Sequence, residues 1–437
     1  MELFRKAAES FHQAWLYVQS ILKWGALAVV TGLCCGVIGA FFHIGVERAT
    51  VFRETHDLLL FFLPLAGLLI VGFYKLSKTE GHGTDDVINA VHLGTRVPLL
   101  LLPSIFLGTV LTHLCGGSAG REGAALQMGG VIGYYIGRLF RIDDQDMRTI
   151  TQCGMAAFFA ALFGTPLAAT VFAMMIINVG RIYHAAFIPC LVASLTAYGI
   201  SIVMGVEPTH FSVSAPAVEP GMLLRVALLG ALCALVSTLF CWSIHGMERL
   251  MKQRIPNAFL RVAIGGFALI LMTFLVGSHD YNGAGMNVIA RAVEGGSAKS
   301  LAFLAKILFT AVTLGAGYKG GEVVPSFFVG ATFGCVAGPL LGIPSGFAAA
   351  VALTAVFCGA ANCPLASIFL SIELFGADGM LYFALACSVS YALSGYNGLY
   401  SSQTILYSKL KAKYINVHTN DSPSNSQSSP DSLATKE

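Results

Sequence analysis

An Arg–Glu pair flanked by glycines, Gly120-Arg121-Glu122-Gly123, lies between two long apolar runs. Ionisable side chains at membrane depth are costly and usually functional, and glycine lets bare backbone approach an ion closely. The apolar run from Ala124 predicts a helix, whose unpaired N-terminal N–H groups would attract an anion. We interpret Glu122 as a gate that occupies this site when charged and leaves it when protonated. The alternative is that Arg121 and Glu122 only neutralise each other.

A second glycine-rich segment, Gly81-His82-Gly83-Thr84-Asp85-Asp86, has the same character. Thr84 or Asp85 can cap a helix that we predict to begin at Val87. A neutral His82 imidazole could donate one N–H to an anion. The alternative is an ordinary turn histidine whose hydrogen bonds are satisfied locally.

Two further segments place polar groups in apolar surroundings. Gly320-Gly321-Glu322-Val323-Val324-Pro325 brings a second carboxylate to a predicted helix start, where proline is well tolerated. Glu322 would either take part in the anion site or cap a helix in the protein core. Tyr400 follows the last apolar run. Its phenol could donate to an anion in a pore or anchor the chain at the membrane interface.

The composition predicts that membrane helices carry these segments. Of the 437 residues, 56% are hydrophobic and 11% are charged, whereas soluble domains carry about 25% charged residues. We therefore expect an all-α polytopic membrane protein. Many apolar runs are shorter than the ~20 residues of a simple spanning helix or contain Gly and Pro. Such broken spans are typical of transporters and channels. No hydrolase or metalloprotease motif occurs, so we expect no enzymatic activity.

Three segments recur in the same order at an offset of about 200 residues. The pairs are Gly81–Ile88 with Gly283–Ile289, Gly117–Glu122 with Gly317–Glu322, and Pro166–Ala168 with Pro364–Ala366. Internal duplication is typical of transporter folds, whose sites lie where the repeats meet. We therefore divide the chain into repeat one (24–205), a connector (206–220) and repeat two (221–413).

The two ends of the chain are more polar. Residues 1–23 are predicted to form an amphipathic cytoplasmic helix, and residues 414–437 a disordered cytoplasmic tail. Basic residues near both ends predict cytoplasmic termini. The eleven cysteines lie in apolar runs without the spacing of a metal site, so we expect plain packing and no cofactor.

Taken together, Gly81–Asp86, Gly120–Ala124, Gly320–Pro325 and Tyr400 resemble the four filter elements of the CLC chloride channel and transporter family. The resemblance covers about residues 25–412. It implies a CLC-type inverted repeat of tilted, partly spanning helices and a homodimer with one anion pathway per subunit. It also implies that Glu122 is the gating and proton-coupling residue. The anion-binding residues that it implies are Gly81, His82, Gly83, Gly120, Arg121, Gly123, Gly321, Glu322, Val323 and Tyr400.

Three departures from the usual CLC filter indicate a subclass. His82 stands at the usual serine position and Asp85 at the usual proline position. Val323 replaces the usual phenylalanine, and Ala124 replaces the proline that usually follows Gly-Arg-Glu-Gly. The lost serine and the Gly-Gly-Glu-Val sequence resemble the fluoride-exporting subclass, whose members exchange fluoride for protons.

The subclass resemblance predicts a fluoride/proton antiporter. Fluoride is small and strongly hydrated, so its site needs compact donors such as backbone N–H groups, an imidazole or a protonated carboxyl. The subclass typically lacks an intracellular proton-relay glutamate, and that position falls here at the apolar Met175 or Ile176. A structural cation at the dimer centre is a further feature of the subclass.

The expected partners are fluoride or chloride, protons, the lipid bilayer of a bacterial inner membrane and a second copy of the chain, but no nucleic acid. One alternative is a chloride channel or chloride/proton exchanger with an unusual filter. The other is a membrane receptor or scaffold that transports nothing.

Overall fold

Sixteen α-helices and three short strands are present in the computed structural model, which describes residues 2–93, 96–411 and 413–420. The first-half helices are α1 (Glu2–Glu54), α2 (Leu63–Leu76), α3 (Thr84–Leu93), α4 (Leu101–Leu114), α5 (Glu122–Leu139), α6 (Asp144–Phe163), α7 (Pro166–Met175) and α8 (Phe187–Val203). The second-half helices are α9 (Pro220–Arg254), α10 (Ala258–Val276), α11 (Met286–Val293), α12 (Ala302–Ala316), α13 (Val323–Leu340), α14 (Ser345–Ala361), α15 (Pro364–Phe375) and α16 (Met380–Leu393). The strands are β1 (Asn178–Val179), β2 (Thr404–Tyr407) and β3 (Tyr414–His418).

The order of helices in the first half recurs in the second. The starts of α4, α5 and α6 precede those of α12, α13 and α14 by the same 201 residues. Six helical stretches of the described residues are long and apolar enough to cross a membrane, and the shorter apolar helices contain 10–17 residues. The predicted all-α membrane fold with partly spanning helices is confirmed.

Small residues set the close packing that fixes the starts of α5 and α13. A Cβ atom on Gly129 of α5 would lie 2.2 Å from Gly154 O of α6. A Cβ atom on Gly330 of α13 would lie 2.4 Å from Ala352 O of α14. Membrane helices use glycine in this way to bring their backbones together. These contacts hold α5 against α6 and α13 against α14, and so fix the direction in which each helix approaches the centre of the molecule.

The structure extends one predicted element and corrects another. Residues 2–23 are helical and continue without interruption into the first span as part of α1 (Glu2–Glu54). The tail is not disordered from residue 414, because Tyr414–His418 form β3, which pairs antiparallel with β2. Ile405 and Val417 pack with Val179 in a small apolar cluster. Residues 421–437 of the predicted tail lie outside the described residues.

The segment between the repeats is irregular, and most cysteines are buried. Residues 206–219 contain no helix or strand, and α9 begins at Pro220. All eleven cysteines lie in the described ranges; they are free, and all except Cys34 are buried. Among the described residues, no group of three or more His, Cys, Asp or Glu side chains could hold a metal ion.

Candidate functional site

The two repeats meet where two glycines pair through their backbones. Gly120 N–H donates to Gly321 O, and Gly321 N–H donates to Gly120 O, each at 2.7 Å. A Cβ atom on Gly321 would lie 2.4 Å from Gly123 N, and one on Gly320 would lie 2.4 Å from the Ala119 Cβ. Only glycine permits backbones to approach so closely. The pairing therefore brings the N-termini of α5 and α13 side by side.

Two cavities border this pairing. The Tyr400 cavity has a volume of about 460 Å³, and its lining includes Gly81, His82, Gly83, Gly320, Glu322 and Tyr400. The Glu122 cavity has a volume of about 380 Å³, and its lining includes His43, His113, Arg121, Glu122, Asn282 and Val324. The two carboxylates thus line different cavities.

Glu122 is the first residue of α5 and is completely buried. Its Oε2 atom accepts a hydrogen bond of 3.1 Å from Val324 N–H, in the first turn of α13. A Cβ atom on Gly120 would lie 2.1 Å from this oxygen, so the side chain folds back over the glycine. A helix N-terminus is a natural anion site, and here the Glu122 carboxylate occupies it. The Arg121 charge and backbone also act on this carboxylate, but the contact with Val324 N–H ties it to the other repeat, which simple Arg121–Glu122 neutralisation does not require.

Glu322 lies on the other side of the same backbone contact. A Cβ atom on Gly123 would lie 3.3 Å from Glu322 Oε2, and one on Gly321 would lie 3.1 Å from Glu122 Oε2. Glu322 is the residue that precedes α13, but its side chain makes no capping hydrogen bond. The alternative in which Glu322 serves as a helix cap is therefore not supported.

Three buried oxygens of the site have no hydrogen-bond partner among the residues that the structure describes. They are Glu122 Oε1, Glu322 Oε2 and Tyr400 Oη. Buried polar atoms normally have partners, so each exception requires an explanation. Two carboxylates that can bind protons and a phenol that can donate to an anion would account for all three. Tyr400 is buried, which disfavours the alternative of an interfacial anchor.

The glycine-rich segment of repeat one differs from prediction in its helix start. The helix α3 begins at Thr84 rather than at Val87. Asp86 Oδ2 accepts a hydrogen bond of 2.7 Å from Gly83 N–H, as the third residue of a helix does in a capping box. Asp85 instead accepts a hydrogen bond of 2.9 Å from Ser402 N–H. The predicted cap by Thr84 or Asp85 is therefore wrong, and Asp85 ties α3 to the Tyr400 loop.

His82 borders a cavity, as an anion ligand would, but its imidazole faces a carboxylate. Its side chain borders the Tyr400 cavity and is 32% exposed, with Nδ1 3.6 Å from Asp86 Oδ1. In the described part of the chain this nitrogen has no hydrogen-bond partner. The alternative of a locally satisfied turn histidine is therefore not supported at Nδ1.

Val323 is the one predicted anion-binding side chain that the structure places off both cavities. It is completely buried as the first residue of α13. Its neighbour Val324 supplies both the N–H that binds Glu122 and a side chain in the Glu122 cavity. The sequence analysis did not assign a role to Val324, because its role depends on the position of its N–H in the first turn of α13 and not on its side-chain type.

Lys306 is a supporting residue that motif reasoning also missed. It is completely buried within α12, and its Nζ donates to Gly283 O at 2.6 Å and to Tyr281 O at 3.2 Å. The same ammonium lies 5.1 Å from the centre of the Phe328 ring. These contacts hold the loop before α11, which borders the Glu122 cavity. A lone lysine in an apolar helix was a signal that could have identified it.

Repeated membrane helices, with buried carboxylates at paired helix N-termini between two cavities, define a membrane anion transporter. The chain belongs to the voltage gated chloride channel family, whose model matches residues 65–395. The predicted family resemblance is confirmed.

Named relatives agree with this assignment. The chain is 36% identical over 398 residues to the "Chloride/fluoride channel protein" of Pseudomonas syringae pv. tomato, covering 89% of this chain and 88% of that one. It is also similar to the crystal structure of a CLC-type fluoride/proton antiporter, with a TM-score of 0.86, 34% identity, and coverage of 88% and 98% of the two chains. A slow cyanobacterial Cl⁻/H⁺ antiporter shares the fold, with a TM-score of 0.70, 22% identity, and coverage of 85% and 94%.

Proposed function

We propose that this transporter is a fluoride/proton antiporter that exports fluoride. The observation that carries the proposal is the Glu122 carboxylate at the N-terminus of α13, where Val324 N–H donates to it. A bound carboxylate oxygen stands in for the transported anion. The relative named as a chloride/fluoride channel and the solved fluoride/proton antiporter support fluoride as that anion.

Fluoride would replace Glu122 Oε2 at the end of α13. Backbone N–H groups at the paired N-termini are compact donors, and glycines keep them accessible to a small ion. Tyr400 Oη and Glu322 Oε2 lack partners among the described residues and border one cavity, so they provide the next contacts on that side. A protonated Glu322 could donate to fluoride, whereas an ionised one would repel it.

Glu122 would couple this anion to a proton. When Glu122 is charged, its carboxylate occupies the anion site. When Glu122 is protonated, it is no longer attracted to the N-terminus of α13, and fluoride can take its place. Fluoride would pass from the Tyr400 cavity to the Glu122 cavity, while the proton would enter by the Glu122 cavity and leave on the Tyr400 side as the carboxylate returns. The two movements are coupled because the anion and the ionised carboxylate cannot occupy the site together.

The membrane arrangement is also part of the proposal. We place the transporter in the bacterial inner membrane as a homodimer, with both termini in the cytoplasm. Family resemblance supports the dimer, and the basic residues near both ends support the orientation. A structural cation at the dimer centre rests on the subclass resemblance alone, because no cluster of His, Cys, Asp or Glu among the described residues of one subunit could hold it.

The decisive experiment is anion efflux from sealed proteoliposomes, followed with fluoride and chloride electrodes. Fluoride efflux should greatly exceed chloride efflux and should drive protons against their gradient. Glu122→Gln should abolish the exchange, while Glu207→Gln, an exposed connector carboxylate, should leave it unchanged. Equal fluoride and chloride rates would support a chloride transporter with an unusual filter. Proton-coupled flux in Glu122→Gln would remove Glu122 from the mechanism.

A further inference from the structure

The loop that carries Tyr400 is held by the last described residues of the chain. Thr419 Oγ1 donates to Tyr400 O at 2.5 Å, and Thr419 N–H donates to Gln403 O at 3.0 Å. Gln403 N–H also donates to Tyr400 O, at 3.1 Å. Thr419 therefore bonds to both ends of the turn formed by residues 400–403.

Asn420 holds the other side of the same loop. Gly398 N–H donates to Asn420 Oδ1 at 3.1 Å, and Asn420 Nδ2 donates to Gly398 O at 3.2 Å. Asn420 N–H donates to Tyr396 O at 2.9 Å. The carboxamide thus pairs with Gly398 as a neighbouring peptide group would. A Cβ atom on Gly398 would lie 3.0 Å from Thr419 Cγ2, so the contact is close.

The sheet fastens this segment to the rest of the molecule. β3 pairs antiparallel with β2, and β2 pairs parallel with β1 of repeat one. Several other contacts also reach the loop from elsewhere, among them those of Asn362 with Asn397 and Gln403. Asp85 Oδ1 accepts from Ser402 N–H, Leu399 N–H donates to Ala360 O at 2.9 Å, and His245 Nε2 lies 2.9 Å from Gly398 O. Thr419 is the contact that bonds Tyr400's own carbonyl from outside the loop.

The Tyr400 hydroxyl itself supplies no anchor. It has no hydrogen-bond partner within the described residues, although the residue is 2% exposed. The position of the phenol at the cavity therefore depends on side-chain packing and on the loop backbone. Because the hydroxyl makes no hydrogen bond to these residues, it can bond to a ligand. Any change in the loop backbone would move that hydroxyl relative to Glu322, which borders the same cavity.

We propose that Thr419 and Asn420 are positioning residues for Tyr400, forming a C-terminal clasp (residues 414–420) that sets how the transporter handles anions. The effect on transport rests on the proposed anion pathway; the effect on the loop does not. The clasp acts through backbone geometry, since neither residue lines the Tyr400 cavity.

Thr419→Val tests the clasp because it keeps the side-chain shape and removes the hydroxyl. Loss of one hydrogen bond of ~0.5–1.5 kcal/mol corresponds to about a 2- to 10-fold change in the fluoride-to-chloride efflux ratio. Thr419→Ser should restore the ratio. Thr404→Val, the same change on β2 of the same sheet, should leave it unchanged. In a Tyr400→Ala background the effect of Thr419→Val should vanish, because the residue through which it acts is gone.

Hydrogen exchange of the purified protein in detergent provides a readout that does not depend on transport. Thr419→Val should increase amide exchange at residues 396–403 relative to both wild type and Thr404→Val. If Thr419→Val does not purify as a monodisperse protein, Asn420→Ala is measured in its place. Unchanged exchange in this loop would overturn the clasp, whichever anion the wild type carries. Faster exchange with an unchanged anion ratio would overturn its role in anion handling. A wild type that favours chloride would overturn fluoride export alone.

Discussion

Gly120 and Gly321 exchange two backbone hydrogen bonds of 2.7 Å, one glycine from each repeat. This pairing leaves the first turns of α5 and α13 side by side and sets Glu122 Oε2 against Val324 N–H. The anion site therefore depends on a contact between repeats, and neither repeat could form it alone.

Replacing Gly120 by alanine should disable the Glu122 gate. The added Cβ atom would lie 2.1 Å from Glu122 Oε2, so the carboxylate must move away from the N-terminus of α13. We expect fluoride/proton exchange in proteoliposomes to fall at least about tenfold, equivalent to ~1.4 kcal/mol in the barrier. Gly72→Ala in α2 is the matched control, because its Cβ would meet no atom within 4 Å. Wild-type exchange in Gly120→Ala would contradict the placement of the gate.

Replacing Glu322 by glutamine should separate a transport role from a capping role. Glu322 Oε2 is buried and lacks a partner among the described residues, and the side chain makes no capping bond. We therefore expect fluoride efflux to fall at least about tenfold with little change in thermal stability. A residue that only capped α13 would show the reverse pattern, with a loss of ~0.5–2 kcal/mol in stability and normal efflux.

Lys306→Met should destabilise the loop that borders the Glu122 cavity. The ammonium bonds to two carbonyl oxygens, Gly283 O and Tyr281 O, inside the protein. Hydrogen bonds to a charged group contribute ~1.5–3 kcal/mol each, so the unfolding temperature in detergent should fall clearly. Lys299→Met is the control, because Lys299 is exposed and bonds to Asp280 at the surface. An equal, small shift in both variants would show that the buried ammonium does not support the loop.

The surface cluster at Asp280 predicts a pH-dependent contribution to stability. Burial alone would raise the pKa of the Asp280 carboxyl, but the hydrogen bond and charge of Lys299, with Arg291, outweigh it and hold the pKa below its usual value. A lowered folded-state pKa stabilises the folded protein above the unfolded pKa of ~3.9, and this contribution is lost as pH falls through the folded-state value. Exposed pairs contribute ~0.2–1 kcal/mol.

The unfolding temperatures of wild type and Asp280→Asn in detergent, compared at several pH values, would check this. The difference should be largest at pH 5–7 and should shrink towards pH 3. The exposed Asp378→Asn serves as the control. A difference that stayed constant down to pH 3 would show that Asp280 does not act through its charge.

The sequence by itself determined the membrane class, the duplication and the family. These depend on composition, on glycine and proline positions, and on local motifs such as Gly120–Gly123 and Gly320–Pro325, all of which are visible along the chain. Glu122 could be singled out because a charge in an apolar run is expensive wherever it folds.

Only the tertiary structure decided the register between the repeats. The repeated motifs Gly117–Glu122 and Gly317–Glu322 set Glu122 opposite Glu322. The starts of α4, α5 and α6, however, lie 201 residues before those of α12, α13 and α14, so the counterpart of Glu122 is Val323 and that of Glu322 is Arg121. The two glutamates are therefore not equivalent: one begins α5, and the other precedes α13. The sequence motifs alone do not reveal this shift of one residue between the repeats. The residue at which each helix begins depends on how α5 packs against α6 and α13 packs against α14.

Tertiary structure also decided the residues that support the site. Val324 N–H binds Glu122, and Thr419 and Asn420 hold the Tyr400 loop, through contacts between residues far apart in the chain. No local pattern marks such residues, because a backbone donor such as Val324 N–H has no side-chain signature and a Thr or Asn side chain does not reveal a distant partner. The polar composition that suggested disorder from residue 414 conceals a strand whose partner, β2, and whose small apolar cluster exist only in the folded chain.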